Sequence, residues 1–114
     1  TEGKIVSYGI YFDVNKDAVK PESYGSLKEI AAILNENPDL RIRIVGHTDS
    51  DGADEANLDL SKRRSASVKN ELATTFKIDP SRMETDGKGE TQPVAANDSP
   101  SNKALNRRVE FIKL

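Results

Sequence analysis

The residues of this chain best suited to chemistry crowd into one short stretch, Gly46-His47-Thr48-Asp49-Ser50-Asp51-Gly52. Its donors suggest first a metal site. A calcium loop of the EF-hand type places oxygen ligands around a glycine at position 6 and a bidentate Glu at position 12. With Gly52 at position 6, Asp51 and Asp49 fill positions 5 and 3, but His47 falls at position 1 and Leu58 at position 12. Zinc fares worse, because the chain has one His and no Cys. No metal is expected. Catalysis also lacks parts. Serines are plentiful, yet His47 is the only imidazole able to serve as a base. Two loop acids one residue apart, Asp49 and Asp51, are ordinary turn or cap residues. There is no Gly-rich phosphate loop. No catalytic residue and no cofactor are expected, so the chain reads as a non-enzyme.

Ion recognition is the remaining chemistry. Asp49 follows a predicted strand, at the edge where open α/β sheets take their ligands. Downstream, Asn57, Ser61 and Arg64 recur at helical spacing and share one stripe. That stripe borders the apolar one, which predicts a partly buried Arg64 beside the strand ends. Spacing alone leaves a ligand clamp and a plain Asp49–Arg64 salt bridge on an equal footing.

The elements that must position these residues are legible in the patterning. Lys4 to Phe12 is rich in β-branched and aromatic types and predicts a strand. A turn-like Asp13-Val14-Asn15-Lys16-Asp17 follows, and Pro21 suits the first turn of a helix. Leu27, Ile30, Ala31 and Leu34 form that helix's apolar stripe, and Asn35 to Pro38 ends it. Leu40 to Val45 alternates as a half-buried strand, with Arg41 and Arg43 outward. A second helix is predicted from Asp54 to Thr75, with Leu58, Ser61, Ser65, Val68 and Leu72 inward. Arg82 to Gly89 is a weak strand, Glu90 to Leu105 a long loop with Pro93 and Pro100, and Arg107 to Leu114 the last strand. The expectation is a two-layer α+β fold, β-α-β-α-β-β, with two helices packed on one face of a mixed four-stranded sheet.

The 114 residues suit one domain over 1–114. Charged residues make up 32% of the chain but nearly cancel, to a formal net charge of −2. That balance argues against a nucleic-acid partner, which needs a basic face to release counterions. No apolar run approaches the length of a membrane span. The polar start at Thr1 reads as the beginning of a domain taken from a longer exported protein.

The blocks Gly46 to Gly52, Asn57, Leu60-Ser61-Lys62-Arg63-Arg64, Gly87-Lys88-Gly89, Pro93 and Asn106-Arg107-Arg108-Val109-Glu110-Phe111 occur in order along the chain. With Phe12 and Pro21 they resemble the OmpA-like C-terminal domain. That family includes peptidoglycan-associated lipoproteins and the periplasmic domains of flagellar motor stators. The resemblance spans nearly the whole chain. The chain departs from the family pattern at Ala56, at Ser65 and at the pair Asn102-Lys103.

The resemblance implies a periplasmic protein that binds the diaminopimelate of the peptidoglycan stem peptide. It is expected to be tethered to the outer membrane, touching a membrane only through a preceding anchor or barrel. By that resemblance Asp49 takes the ligand's ammonium and Arg64 clamps its carboxylate with paired hydrogen bonds. Thr48, Asn57 and Arg108 match secondary contacts, Phe12 and Asp13 sit where the first loop supplies backbone contacts, and Leu60 is an apolar wall. The alternative is a protein-interaction module of the same fold, using exposed Arg41, Arg43, Lys62 and Arg63.

Overall fold

Residues 3–13 and 16–114 are described in the computed structural model of the chain. Thr1, and Val14 and Asn15 of the expected first turn, lie outside the described residues. The chain runs β1 (Lys4–Ser7), α1 (Tyr24–Glu36), β2 (Ile42–His47), α2 (Asp54–Thr74), β3 (Met83–Gly89), α3 (Pro100–Asn106) and β4 (Arg108–Lys113). Short 3-10 turns at Pro21–Ser23 and Pro80–Arg82 precede α1 and β3. The sheet order is β1-β4-β2-β3. β4 runs antiparallel to both β1 and β2, while β2 and β3 are parallel, as a strand–helix–strand crossover requires.

The expected α+β, two-layer arrangement on a mixed four-stranded sheet is the observed one. Two elements differ. The predicted first strand ends at Ser7 instead of Phe12, and the residues from Gly9 on lie outside the ladder. The stretch Glu90 to Leu105 is not all loop. Ser99 caps a third helix by accepting from Asn102 N–H at 3.2 Å, and Pro100 occupies its first turn. Seven residues are too few for a 3.6-residue apolar stripe to show, so α3 left only a cap and a proline as its signal.

The core lies between the helices and one face of the sheet. Leu27, Ile30, Ala31 and Leu34 of α1 and Val68 and Leu72 of α2 meet Ile42, Ile44, Met83, Val109 and Phe111. Each fully buried aliphatic side chain of this set contributes roughly 1.5–3 kcal/mol by leaving water. Leu58 is not part of it. It is 36% exposed, and Leu60 (7%) is the buried leucine of α2's first turns. The polar Asn57, Ser61 and Ser65 fill the remaining inward positions of α2.

That polar inner stripe has a steric reason. A Cβ on Gly87 would sit 2.4 Å from Lys62 N, and one on Gly46 would sit 2.5 Å from Ser61 O. The two glycines let α2 lie directly on the ends of β2 and β3. Ser61 Oγ then accepts from Gly89 N–H at 2.9 Å and donates to Leu58 O at 2.8 Å, so helix and strand are tied at the point of closest approach.

Candidate functional site

The loop after β2 is built to hold Asp49 in one place. Thr48 N–H donates to Gly89 O at 2.8 Å, and its hydroxyl donates to Asp49 O at 2.9 Å. Asn57 Nδ2 donates to Asp51 O at 2.8 Å and to Asp49 O at 3.4 Å. Thr48 and Asn57 thus direct their side chains to the loop backbone, Asn57 also donating to Glu90 Oε1 at 3.3 Å. Asp49 itself is 6% exposed. Its Oδ1 accepts from Asp51 N–H at 2.9 Å, and its Oδ2 accepts from the Arg107 guanidinium.

Arg64 reaches the same end of the sheet from α2. Its Nε donates to Lys16 O at 2.8 Å and one Nη to Asp13 O at 3.1 Å, while the guanidinium lies 4.7 Å over the Phe12 ring. A cation over an aromatic face is attracted by the ring quadrupole. Burial pushes the Arg64 pKa down, Arg63 adds to that, and Asp17 and Asp49 oppose it. Phe12 is in turn set by the first loop. The buried Ser23 hydroxyl accepts from Tyr11 N–H at 2.6 Å, and Lys20 N–H donates to Tyr11 O at 2.9 Å.

Asp49 and Arg64 form no direct ion pair, so the plain salt-bridge reading of their spacing does not describe the molecule. The carboxylate pairs with Arg107 and the guanidinium with two carbonyls. A cavity of about 310 Å³ opens beside them, lined by Phe12, Arg64, Arg107 and Arg108, with Tyr8, Ile10 and Tyr11 on the apolar side. Asp49 meets this space through Arg107. Leu60 is buried but stands outside the lining residues, as do Thr48, Asn57 and the Asp13 side chain.

Arg107, Tyr8 and Tyr11 were not singled out from the sequence. The signal for Arg107 lay in the doublet Arg107-Arg108 where α3 passes into β4. Arg107 is already extended, and successive side chains of an extended chain leave on opposite sides. The two arginines accordingly have different fates. Arg108 is buried and holds three acceptors, donating to Glu110 Oε2 at 2.8 Å, Asn106 O at 3.3 Å and Gln92 O at 2.9 Å. Arg107 keeps a half-exposed side chain on the cavity. Asn106 holds the segment that carries both. Its amide accepts from Val94 and Ala95 N–H and donates to Ala95 O and Asn97 Oδ1, all within 3.1 Å.

His47 is buried at the end of β2, 3.4 Å from Glu110, with both ring nitrogens lacking a hydrogen-bond partner among the described residues. Burial pushes its pKa below the usual range, and Arg108 adds to this while Glu110 opposes it. Of the exposed basic residues considered for a protein interface, three are engaged locally. Arg41 donates to Ser81 O, Arg43 pairs with Glu84, and Arg63 bridges Asp59 and Asp17.

The OmpA family model matches residues 11–107. Outer membrane porin F of Pseudomonas fluorescens is 42% identical over 105 residues, 92% of this chain and 32% of the porin. Peptidoglycan-binding protein ArfA of Mycobacterium bovis is 35% identical over 81% of the chain and 28% of its own length. The chain therefore spans about a third of the length of these relatives. Among solved structures, the peptidoglycan-associated lipoprotein of Burkholderia pseudomallei superposes with a TM-score of 0.81 at 30% identity, covering 92% of this chain and 88% of that one. The family match takes in the first loop, the Asp49 loop, α2 and the α3–β4 junction, the segments that build the cavity. The chain belongs to the OmpA family.

Proposed function

We propose that this chain is a non-catalytic peptidoglycan-binding module that anchors an envelope protein to the cell wall through the diaminopimelate of the stem peptide. The observation that carries the reading is the geometry at the strand ends. A fixed, nearly buried carboxylate at Asp49 and a half-buried guanidinium at Arg64 stand at one end of the sheet without pairing to each other. Asp49 rests on the half-exposed Arg107 and Arg64 on two carbonyls, and a ligand that carries both signs replaces Arg107 at Asp49 and pairs with Arg64. The diaminopimelate side chain ends in an ammonium and a carboxylate on one carbon. Asp49 takes the ammonium. The Arg64 nitrogens not used on Lys16 O and Asp13 O take the carboxylate, with the Phe12 ring keeping the guanidinium flat against the cavity wall.

Similarity to proteins named for peptidoglycan binding and peptidoglycan association supports this reading. So do the relatives' outer-membrane names, which favour a periplasmic location under a tether to the outer membrane. The engagement of Arg41, Arg43 and Arg63 with nearby groups disfavours a protein interface built on that basic face.

The reading is tested by calorimetric titration of the chain with a purified diaminopimelate-type muropeptide, repeated with Asp49→Ala and Arg64→Ala. Each charge-assisted hydrogen bond contributes about 1.5–3 kcal/mol, so each substitution is expected to weaken binding by roughly 10- to 100-fold. Binding that survives both substitutions unchanged overturns the clamp.

A further inference from the structure

We infer that Asp51-Gly52 is a site of spontaneous backbone isomerisation, and that its conversion to isoaspartate releases Asp49 from its ligand-binding position. The chemical half stands on the loop itself, while the functional half rests on the clamp proposed above.

The side-chain carboxyl of an aspartate condenses with the next backbone nitrogen where that nitrogen is accessible, and glycine shields it least because it has no Cβ. Here the Gly52 nitrogen attacks Asp51 Cγ. The N–Cγ bond forms, the Cγ–O bond breaks and water leaves, which gives a five-membered succinimide. Water then adds at either ring carbonyl. Opening at Cγ restores aspartate. Opening at the former peptide carbonyl breaks its bond to nitrogen and leaves the chain running through Cβ and Cγ. Water and proton transfer are all these steps need.

The chain contains two Asp-Gly bonds, and the fold treats them oppositely. Gly87 is buried in β3 with its N–H on Asp86 Oδ1 at 2.8 Å, and a Cβ there would lie 2.4 Å from Lys62 N. A succinimide has no room to close at that point. Asp51 and Gly52 are exposed and lie outside every helix and strand, with Gly52 at φ +90°. The nearest atom to a Cβ on Gly52 is Asn57 Oδ1 at 3.7 Å, and the Gly52 N–H makes no hydrogen bond among the described residues. Two contacts restrain Asp51 beyond its own N–H: Asn57 Nδ2 on Asp51 O at 2.8 Å and the Lys103 ion pair at 2.9 Å. The Asp51 side chain is 68% exposed, and ion pairs at such sites contribute little.

Conversion reaches the site because the loop is short and fixed at both ends. Thr48 N–H holds Gly89 O at 2.8 Å, and Asn57 N–H holds Ala53 O at 2.9 Å. Isoaspartate inserts one more carbon into the main chain between these two points. It also turns the Asp51 carbonyl that Asn57 holds into a carboxylate off the main chain. The Asp51 N–H, which fixes Asp49 Oδ1 at 2.9 Å, moves with the rebuilt peptide.

The test is an ageing experiment. The chain is kept in neutral buffer at physiological temperature and sampled by tandem mass spectrometry with electron-transfer fragmentation, which separates isoaspartate from aspartate. Isoaspartate is expected to accumulate at Asp51 and not at Asp86. The converted fraction, isolated by ion-exchange chromatography, is titrated with a diaminopimelate-type muropeptide beside the fresh chain. It is expected to bind about tenfold or more weakly, the effect of one lost charge-assisted hydrogen bond. Asp51→Glu, whose side chain would have to close a six-membered ring, is expected to keep its own fresh affinity through the same incubation. Isoaspartate absent from Asp51, or equally abundant at Asp86, overturns the site. A converted fraction that binds as tightly as the fresh chain, or an Asp51→Glu chain that loses affinity in parallel, overturns the effect on Asp49. A fresh chain that does not bind the muropeptide removes the clamp and the functional half with it, while the mass spectra decide the chemical half on their own.

Discussion

At the scale of single residues, two arginine–carboxylate pairs with different surroundings stand at this end of the sheet. Arg108 and Glu110 are adjacent in kind to Arg107 and Asp49, yet they are buried against each other and against a loop carbonyl, beside an imidazole with no hydrogen-bond partner among the described residues. His47 has a consequence for pH. Its pKa is lowered in the fold, by burial first and Arg108 second, whereas in the unfolded chain it sits near its ordinary value of about 6.5. Below that value the unfolded chain binds the proton that the fold refuses, so stability falls as the pH drops through it. Glu110 acts in the same sense. Burial favours its protonated form, but the hydrogen bond from Arg108, with the charges of His47 and Lys4, outweighs that and leaves its pKa below the usual range. The stability it contributes is present above about pH 4.5 and is lost on further acidification. We expect the melting temperature to fall from about pH 7.5 to about pH 5, and His47→Gln to flatten that fall. Thermal melts of both proteins across this range decide it; equal slopes would acquit His47. Asp49 and Arg64 were legible at this scale because their types and spacing point to ion recognition. Arg107 was not, because its partner lies 58 residues away in the chain.

At the scale of elements, the site depends on how closely α2 approaches the sheet. A methyl at Gly87 would meet the α2 backbone, which a side-chain rotation cannot relieve. We expect Gly87→Ala to cost about 1–3 kcal/mol. Gly25 in α1 has open space around its Cβ position, so Gly25→Ala should be neutral or stabilise by up to about 1 kcal/mol. Urea unfolding of the pair separates the two cases; a Gly87→Ala protein as stable as Gly25→Ala would mean that the close approach is not needed. The long elements were readable because their periodicity is unambiguous. α1's stripe is the observed core stripe, and β2's alternation places Ile42 and Ile44 inward with Arg43 outward. The misreadings have local causes. Leu58 belongs by spacing to α2's inner stripe, but the inner positions near the strand ends are given to Asn57 and Ser61, which bond to backbone. β1 reads as long in composition, yet its ladder stops at Ser7, and further on the Tyr11 amide donates to the Ser23 hydroxyl instead of a strand partner.

At the scale of the whole molecule, three segments distant in sequence meet at one end of the sheet: the first loop, the loop after β2 with the first half of α2, and the α3–β4 junction. The α+β layering followed from the order of elements, and it alone brings Asp49 and Arg64 to the same edge. It did not predict that a second guanidinium, that of Arg107, would pair with Asp49. That feature depends on α3 and on Asn106 fixing the loop that leads into it. The central claim is that the assembled edge recognises a zwitterion, with one charge for each sign. It is tested most directly by titrating the chain with two stem peptides that differ only at the third residue, meso-diaminopimelate in one and L-lysine in the other. Lysine keeps the ammonium and lacks the side-chain carboxylate. The account predicts binding weaker by about tenfold or more for the lysine peptide, through the partner Arg64 loses. Equal affinity for the two peptides would contradict it.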